Sequence, residues 1–558
     1  MRPVLHASQL PQTLTPTLSR EERERGLLAM RGEAVIGLDI GTTSTLGALI
    51  APSGDIIAVA ARSTTLSSPH PGWAEEDPEQ WRRNAWEILR ELSAAASAQS
   101  RTLRGICVTG MVPALVLLDE DGAVIRPSIQ QSDGRAAAEV GELRAEIDEA
   151  KFLRRTGNGV NQQLIATKLR WLERHEPGAF GRIRTVFGSY DYINWRLTGR
   201  RGVERNWALE AGLVDLADHR IHDDLVALTH VSRSAFPTLH DSQSVFGVVT
   251  AEAAAQTGLP EGLAVYGGAA DHIASALAAG LVDPGDVLLK FGGAGDIVVA
   301  SDVARPDWRL FLDYHLVPGL YAPNGCMAAS GSALNWLAGA LLLEGTDESR
   351  HAAFDRLAAK IPPGSDGVLC LPYFLGEKTP VQDPLARGAF VGLSLSHGPA
   401  HLWRALLEAV AFGFRHHVEV LDEIGYAPRR FLASDGGSRS RVWMQIVADV
   451  LQAPVTLIEN AHGSAIGAAF VAMAASSLVS WGDAGRLARL GATIVPDPAN
   501  AAAYDRAYRE YRELYRALRP LFQSRAGAAE LTLQASEDRE RNAAREDQPF
   551  GPRGHGPD

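Results

Sequence analysis

The chain has 558 residues, 46% of them hydrophobic and 22% charged, a composition typical of a globular enzyme with roughly two to four domains. Its formal net charge of -12 argues against a general nucleic-acid binder, which would carry a basic face. Its three cysteines, Cys107, Cys326 and Cys370, are too far apart to indicate a disulfide framework or a zinc site, and they fit a reducing cytoplasm.

The two ends of the chain differ in composition from the rest. Residues 1–33 contain no apolar run of the signal-peptide kind, and we expect a disordered extension there, with translation starting at Met1 or Met30. Residues 524–558 are charged and poor in large apolar side chains, so we expect disorder there too. The apolar run at residues 466–481 is shorter than the roughly 20 residues that cross a bilayer, and it predicts a buried helix rather than a membrane span.

The first half of the chain opens with three predicted strands, a helix and two further strands. Asp77 is the expected N-cap of the helix, with Pro78 in the first turn and Gln80 completing a capping box. This order predicts a mixed sheet with helices packed on it. The strands are expected at residues 35–40, 46–50, 56–59, 105–109 and 115–118.

A second strand, glycine-rich turn and strand occur later, at residues 285–300. The two segments share a pattern but little sequence, so they indicate either two related domains or a coincidental pair of hairpins. We interpret them as two domains, at residues 34–281 and 282–523.

The stretch IGLDIGTTST, residues 36–45, ends a predicted strand on an aspartate, a glycine and three hydroxyl residues. Backbone N–H groups and hydroxyls at such a turn can form a concave anion site, and Asp39 can hold a hydrated Mg²⁺ beside it. The alternative is an ordinary glycine turn with local hydrogen bonds. Gly292 and Gly293 in the second turn could hold phosphate from the other side. No GxxxxGK[ST], GxSxG or HExxH pattern occurs, which excludes a P-loop and gives no sign of the common hydrolases.

Six sequence blocks in order, within residues 34–522, resemble the FGGY family of carbohydrate kinases, and its xylulokinase-like members in particular. The resemblance implies an α/β fold of two ribonuclease-H-like, actin-like ATPase domains with a cleft between them. It also implies transfer of the γ-phosphoryl group of MgATP to a hydroxyl of a ketopentose or polyol. The blocks are GLDIGTTST, GWAEEDPEQWRR, VLLDEDGAVIRPSIQQSDGR, GGAADHIASALAAGLVDPGDV, LPYFLGEKTPVQDPLARGAFVGL and ASDGGSRSRVWMQIVADVLQAPV.

The same resemblance implies roles for individual residues. Asp271 is expected to be the general base, although by itself it fits the N-cap of the helix that follows. Asp39 is expected to hold Mg²⁺ through water. The residues expected to bind ATP are Gly41, Thr42, Thr43, Ser44, Gly292, Gly293, Gly331, Asn335, Gly436 and Gly437.

The resemblance is weaker at the expected acceptor site. Met111, Val112, Pro113, Asp133 and Arg135 are expected to bind the substrate together with Asp271, but Pro113 stands where xylulokinases have histidine. Glu204 stands where relatives have aspartate, and Trp207 is either a stacking surface for a sugar or part of the core. A ketopentose and a linear tetritol or pentitol are therefore both open as acceptors.

The second phosphate turn also departs from the family pattern. Many relatives have Gly-Thr-Ser-Gly where this chain has Gly292, Gly293, Ala294 and Gly295, so two hydroxyl donors are missing. A non-catalytic sugar- or nucleotide-responsive protein and an actin-like or chaperone-like ATPase are therefore alternatives to an active kinase. We expect a cytoplasmic protein that binds ATP and a small sugar or polyol, a homodimer as is usual among relatives, and no nucleic acid or membrane partner.

Overall fold

The computed structural model describes residues 32–341, 347–459 and 463–546, with side chains described as far as Ser524 except at 347–349. The expectations for residues 1–31 and 547–558 lie outside these described residues. Two mixed sheets, each covered by helices, organise the described chain.

The first half of the chain forms a six-stranded sheet in the order β13-β14-β5-β1-β2-β3. Strand β1 lies near its centre, parallel to β5 and antiparallel to β2. The strands are β1 (Glu33–Ile40), β2 (Ser44–Ile50), β3 (Ile56–Ser63), β4 (Glu75–Glu76), β5 (Thr102–Gly110), β6 (Val116–Leu118), β7 (Ser128–Ile129), β8 (Thr185–Phe187), β9 (Gly202–Glu204), β10 (Val214–Asp215), β11 (Arg220–Ile221), β12 (Thr238–His240), β13 (Val245–Val248) and β14 (Ala264–Ala270). The helices are α1 (Pro78–Ala98), α2 (Ala137–Glu146), α3 (Glu149–Thr156), α4 (Ile165–His175), α5 (Pro177–Phe180), α6 (Ser189–Thr198), α7 (Arg205–Glu210), α8 (Asp223–Ala227), α9 (Ala251–Thr257) and α10 (Asp271–Ala278).

The second half forms a seven-stranded sheet in the order β17-β18-β16-β15-β21-β22-β23. Its central strand β15 leaves by a hairpin to β16 and runs parallel to β21, which repeats the relation of β1 to β2 and β5. The strands are β15 (Asp286–Phe291), β16 (Gly295–Val299), β17 (Phe311–Tyr314), β18 (Tyr321–Met327), β19 (Leu369–Leu371), β20 (Ala389–Val391), β21 (Arg430–Ser434), β22 (Val455–Ile458) and β23 (Leu490–Ile494). The helices are α11 (Gly331–Ala340), α12 (Asp347–Ala358), α13 (Pro399–Ile424), α14 (Arg441–Leu451), α15 (Gly463–Ala475) and α16 (Ala501–Glu546).

The start of helix α1 largely follows its sequence signals. The Asp77 side chain accepts a hydrogen bond from the Glu79 backbone N–H at 2.9 Å, and Pro78 occupies the first turn, as predicted. The expected capping box does not form, because the Gln80 side chain instead accepts a hydrogen bond from the backbone N–H of Thr65 at 3.1 Å. A tertiary contact has thus replaced the local one.

Helix α15 follows the second sheet's strand β22 in sequence but packs on the first sheet. A Cβ added to Gly37 in β1 would lie 1.9 Å from the Ala465 carbonyl oxygen. A Cβ added to Gly467 would lie 1.9 Å from the Ala274 carbonyl oxygen in α10. The chain therefore crosses back to complete the first core, and the division at residues 281 and 282 stays a prediction.

The two halves of the chain meet along β17, the edge strand of the second sheet. Asn158 exchanges two hydrogen bonds of 3.0 Å with the Leu312 backbone. Asn206 exchanges two more, of 3.0 and 2.7 Å, with the Tyr314 backbone. Side-chain amides from the first half of the chain thus satisfy backbone groups that an edge strand would otherwise leave unpaired.

Helix α16 continues beyond the point where we expected the chain to become disordered. Its first part is amphipathic, and Tyr504, Tyr508 and Tyr511 are buried in the core of the second half. The helix runs on to Glu546, because the segment after Ser524 is rich in Ala, Glu and Arg, which favour helix. Within the described residues, no helix combines the length and apolar character that a membrane span needs.

Candidate active site

The predicted first phosphate turn lies between β1 and β2. The Gly41 backbone N–H donates to the Ser44 carbonyl oxygen at 3.1 Å, which closes the turn. Thr43 is exposed at the tip, and the Thr42 hydroxyl lies 3.7 Å from the sulfur of Met111. The turn therefore brings two parts of the expected site together, Thr42 of the phosphate turn and Met111 of the acceptor site.

Asp39 lies at the carboxyl end of β1, and its two oxygens differ in environment. Oδ2 accepts a hydrogen bond of 2.6 Å from the Ser464 hydroxyl, at the start of α15. Oδ1 is buried and has no hydrogen-bond partner among the described residues. Burial, and next the charge of Asp271, raise the pKa of Asp39 to about 7. A buried, unpartnered carboxylate oxygen fits a hydrated divalent cation such as Mg²⁺.

The second glycine turn is fixed against the first turn of helix α11. The backbone N–H of Gly331 donates to the Gly292 carbonyl at 2.9 Å, and the N–H of Ser330 donates to the Gly293 carbonyl at 2.8 Å. A Cβ added to Gly331 would lie 2.6 Å from the Gly292 oxygen, so this contact requires glycine. A Cβ added to Gly293 would meet no atom within 4 Å.

Gly436 and Gly437 follow β21 in a short helical turn, and only one of them is needed for packing. A Cβ added to Gly437 would lie 2.8 Å from the Phe291 Cβ, whereas one added to Gly436 would meet nothing within 4 Å. Asn335 is exposed on α11. The neighbouring Asp435 carboxylate would lie 3.6 Å from a Cβ added to Gly292. The turn of Gly436 and Gly437 therefore lies close to the second phosphate turn.

A cavity of about 610 Å³ opens beside these turns, a volume typical of small-ligand sites. It is lined by both halves of the chain, including Ser275, Lys290, Asp435, Gly436, Arg439 and Ser464. Ser464, which binds Asp39, therefore lines the same cavity as Gly436, one of the glycines expected to bind ATP. Lys290, which the sequence analysis did not single out, lines this cavity too.

Asp271 is the first residue of α10, and Ala270 occupies the N-cap position. The alternative interpretation, in which the Asp271 side chain caps this helix, is therefore not observed. Its Oδ1 accepts hydrogen bonds from the backbone N–H of His272 at 2.6 Å and from the ring Nδ1 at 3.4 Å. Its Oδ2 forms no hydrogen bond with any described residue, and the side chain is 35% exposed.

His272 connects Asp271 to the second sheet. Its Nε2 lies 3.0 Å from Oδ2 of Asp313, which is fully buried in β17, and Glu210 lies beside the pair. Burial alone would lower the pKa of His272, but its hydrogen bonds to Asp271 and Asp313 raise it well above the usual value. Burial likewise pushes the pKa of Asp271 upward, yet the hydrogen bond and charge of His272, with the charge of Lys290, hold it below its usual value. The imidazolium thus keeps Asp271 ionised.

Asp133 and Arg135 form a buried ion pair rather than an open sugar contact. Their side chains are fully buried, with Arg135 Nη2 2.8 Å from Asp133 Oδ2. The Ala74 backbone N–H also donates to Oδ2 at 2.6 Å, and the Arg135 guanidinium lies 3.7 Å from the ring centre of Trp73. Since both carboxylate oxygens already accept hydrogen bonds, the geometry favours a role in holding the loop, and the sugar contact stays a prediction.

The other expected acceptor residues are largely enclosed. Met111 is 2% and Val112 5% exposed, and Pro113 is also buried. Trp207 is fully buried, with its Nε1 donating to the Ala114 carbonyl at 2.9 Å, so the core alternative for this residue is confirmed.

Glu204 is also fully buried, and it accepts hydrogen bonds from the Tyr190 and Ser242 hydroxyls. Burial raises its pKa to about 7. Its contacts are those of a core network that caps helix α7, not of a side chain facing a ligand.

Comparisons with known proteins identify the family of the chain. The family model described as "FGGY family of carbohydrate kinases, N-terminal domain" matches residues 34–278, and the C-terminal domain model matches residues 309–476. A xylulose kinase of Escherichia coli (strain K12) is 30% identical, over 87% of this chain and 99% of that protein.

Solved structures match over the same extent. The crystal structure of xylulose kinase from Rhodospirillum rubrum has a TM-score of 0.84 and 64% identity, covering 88% of this chain and all of that one. Gluconate kinase from Lactobacillus acidophilus, with a TM-score of 0.81, 24% identity and coverage of 87% and 98%, supports the fold alone. The predicted two-domain, actin-like α/β fold is confirmed. The chain belongs to the FGGY family of carbohydrate kinases, which are phosphotransferases that use ATP and an alcohol acceptor.

Proposed function

We propose that this carbohydrate kinase phosphorylates a ketopentose of the xylulose type and that Asp271 is its general base. The observation that carries the base assignment is the asymmetry of that carboxylate. Oδ1 is held by His272, while Oδ2 has no hydrogen-bond partner among the described residues and the side chain is 35% exposed. The similarity to proteins described as xylulose kinases supports the acceptor.

The reaction follows from this arrangement. The acceptor hydroxyl donates its proton to Oδ2 of Asp271 as its oxygen forms a bond to the γ-phosphorus. The bond from that phosphorus to the β–γ bridging oxygen breaks, and ADP leaves. His272 keeps Asp271 ionised before the transfer, because an imidazolium beside a carboxylate opposes its protonation.

The nucleotide is held by groups from both halves of the chain. We assign the γ-phosphate to the turn of Gly41, Thr42, Thr43 and Ser44, with Gly292 and Gly293 on the other side. Asp39 would hold Mg²⁺ through water, and the ion would neutralise phosphate charge. We assign the adenosine to the side of the cavity lined by Gly436, where a side chain would take up its space.

The test is phosphorylation of a panel of acceptors, followed as ADP release. The panel contains D-xylulose, other pentuloses, pentitols and tetritols. We expect the highest kcat/KM with xylulose or another pentulose. A higher kcat/KM with a pentitol or tetritol would replace the ketose assignment, and turnover that needs no acceptor would contradict the kinase reaction.

A further inference from the structure

Lys290 is directed at the first half of the chain by the alternation of β15. Leu289 and Phe291 pack in the core of the second half, whereas Leu288 packs in the core that belongs to the first sheet. Since successive side chains of a strand point to opposite faces, Lys290 lies on the Leu288 face. It is two residues before Gly292, at the carboxyl end of the strand, where this face borders the cleft.

The surroundings of Lys290 are strongly acidic. Its charge interacts with Asp296, Asp435, Asp271 and Asp39, in that order of strength. Asp296 is its directly opposite neighbour in the hairpin, while Asp39 and Asp271 come from the first half of the chain. The lysine is thus surrounded by the two carboxylates of the proposed reaction centre and two from its own sheet.

Despite these carboxylates, the ammonium group of Lys290 has no close partner in the described part of the chain. Among the described residues, none forms a salt bridge within 4.0 Å or a hydrogen bond with it. The side chain lines the 610 Å³ cavity beside Asp435 and Ser464. An unpaired cation at the edge of a cavity suits an anionic ligand with several acceptor oxygens.

The adjacent turn lacks the side-chain donors that such a ligand would use. Gly292, Gly293, Ala294 and Gly295 carry no hydroxyl or other side-chain donor, so the turn offers only backbone N–H groups. From this position, and on the basis of the function proposed above, we propose that Lys290 contacts the γ-phosphate of ATP and replaces the missing hydroxyl donors of the second phosphate turn.

The proposed contact serves the transfer step through charge. As the γ-phosphoryl group moves from ADP to the acceptor, a cation beside its oxygens offsets the repulsion from Asp39 and Asp271. A neutral hydroxyl supplies a hydrogen bond but not that charge. The two arrangements therefore bind the same group by different chemistry.

The first test is the Lys290→Met variant, with binding of ADP and of a non-hydrolysable ATP analogue measured by calorimetry. We expect affinity for the ATP analogue to fall about tenfold while ADP affinity changes less than twofold, with kcat falling on the order of 100-fold. Lys290→Arg keeps the charge and should retain the preference for the ATP analogue. Lys360→Met, at an exposed position outside the cleft, is the matched control and should behave as the wild type.

The second test restores the missing hydroxyls. Gly293→Thr and Ala294→Ser are combined in the Lys290→Met protein, since a Cβ at Gly293 meets no atom within 4 Å and its φ lies outside the left-handed region. We expect the added hydroxyls to recover about tenfold of the lost kcat. The same pair in the wild-type background should give no comparable gain, because the lysine already occupies the phosphate oxygens.

The Lys290→Met and Asp271→Asn variants together decide the proposal. If Lys290→Met weakens ADP and the ATP analogue equally, or only lowers the melting temperature, Lys290 serves to neutralise the carboxylates and the proposal is wrong. If Lys290→Met does not fold, the ratio of the two affinities is read on Lys290→Gln with the same expectation. If Asp271→Asn abolishes turnover while Lys290→Met leaves kcat and the ratio unchanged, only this inference fails, whereas an active Asp271→Asn would overturn the proposed base.

Discussion

The imidazole of His272 links Asp271 to Asp313 across the two halves of the chain. Nε2 lies 3.0 Å from Asp313 Oδ2, and Nδ1 lies 3.4 Å from Asp271 Oδ1. Both ring nitrogens face carboxylates, so the ring carries two protons and a positive charge. The proposed base thus sits beside a cation that is held in place from the opposite sheet.

Replacing His272 should move the acid limb of the pH profile. Asp271 accepts a proton only when ionised, so activity is lost as the pH falls through its pKa. In His272→Asn the cation is gone, so burial raises that pKa with less to oppose it. The acid limb of kcat/KM, measured from pH 5 to 9, should shift to higher pH, and Asp313→Asn should shift it less in the same direction.

The matched control for this shift is His219→Asn. His219 also bridges the halves, with Nδ1 2.8 Å from the Tyr314 hydroxyl, one residue from Asp313. Its loss removes a contact of the same kind but no charge beside Asp271. An equal displacement of the limb in this control, or none in His272→Asn, would contradict the assigned role of His272.

Asp271→Asn should reduce turnover far more than binding. The amide keeps the shape of the side chain but cannot accept the acceptor's proton, so kcat should fall by about 10² to 10⁴. KM for both substrates should change only a few-fold. Steady-state kinetics and the melting temperature are to be measured together, since a KM effect without a kcat effect would indicate a binding role instead.

Asp39→Asn should increase the Mg²⁺ concentration needed for half-maximal activity. An amide oxygen carries no charge, so a hydrated cation loses most of its attraction to this position. Titration of activity with Mg²⁺ at fixed ATP would measure the change, which we expect to be at least about tenfold. Asp55→Asn, in the exposed turn before β3, is the control, and equal Mg²⁺ curves for Asp39→Asn and the wild type would remove Asp39 from the metal site.

The adjacent glycines 436 and 437 should respond differently to alanine. Gly437→Ala places its Cβ 2.8 Å from the Phe291 Cβ and should lower the free energy of unfolding by about 1 to 3 kcal/mol. Gly436→Ala meets no atom and should keep the melting temperature, yet raise KM for ATP about tenfold if adenosine lies against it. An unchanged KM in stable Gly436→Ala would place the adenosine elsewhere.

Local signals in the sequence were sufficient for much of the fold. Alternating apolar residues and turn glycines located β1, β2, β15 and β16, and Asp77 with Pro78 marked the start of α1. The extent of the last helix was missed, because low apolar content signals an absence of core rather than an absence of helix.

The candidate site was harder to predict because its parts are distant in the chain. Ser464 binds Asp39 across 425 residues, and Asp313 reaches His272 across 41. No local spacing marks such pairs, and only the tertiary packing of α15 and β17 against the first half of the chain creates them. The enclosure of Asp133 and Trp207 was equally beyond the sequence, since a motif does not reveal which side of a loop faces the core.

The double amide pairing of Asn158 and Asn206 along β17 has a mechanical consequence. A large rotation between the two halves of the chain must either break these four hydrogen bonds or move β17 together with the first half. We therefore expect any closure of the cleft to pivot near β17 and to move Lys290 and Gly436 relative to the first half of the chain. Because Asp313 lies in β17 itself, its hydrogen bond to His272 should persist in both the open and the closed cleft.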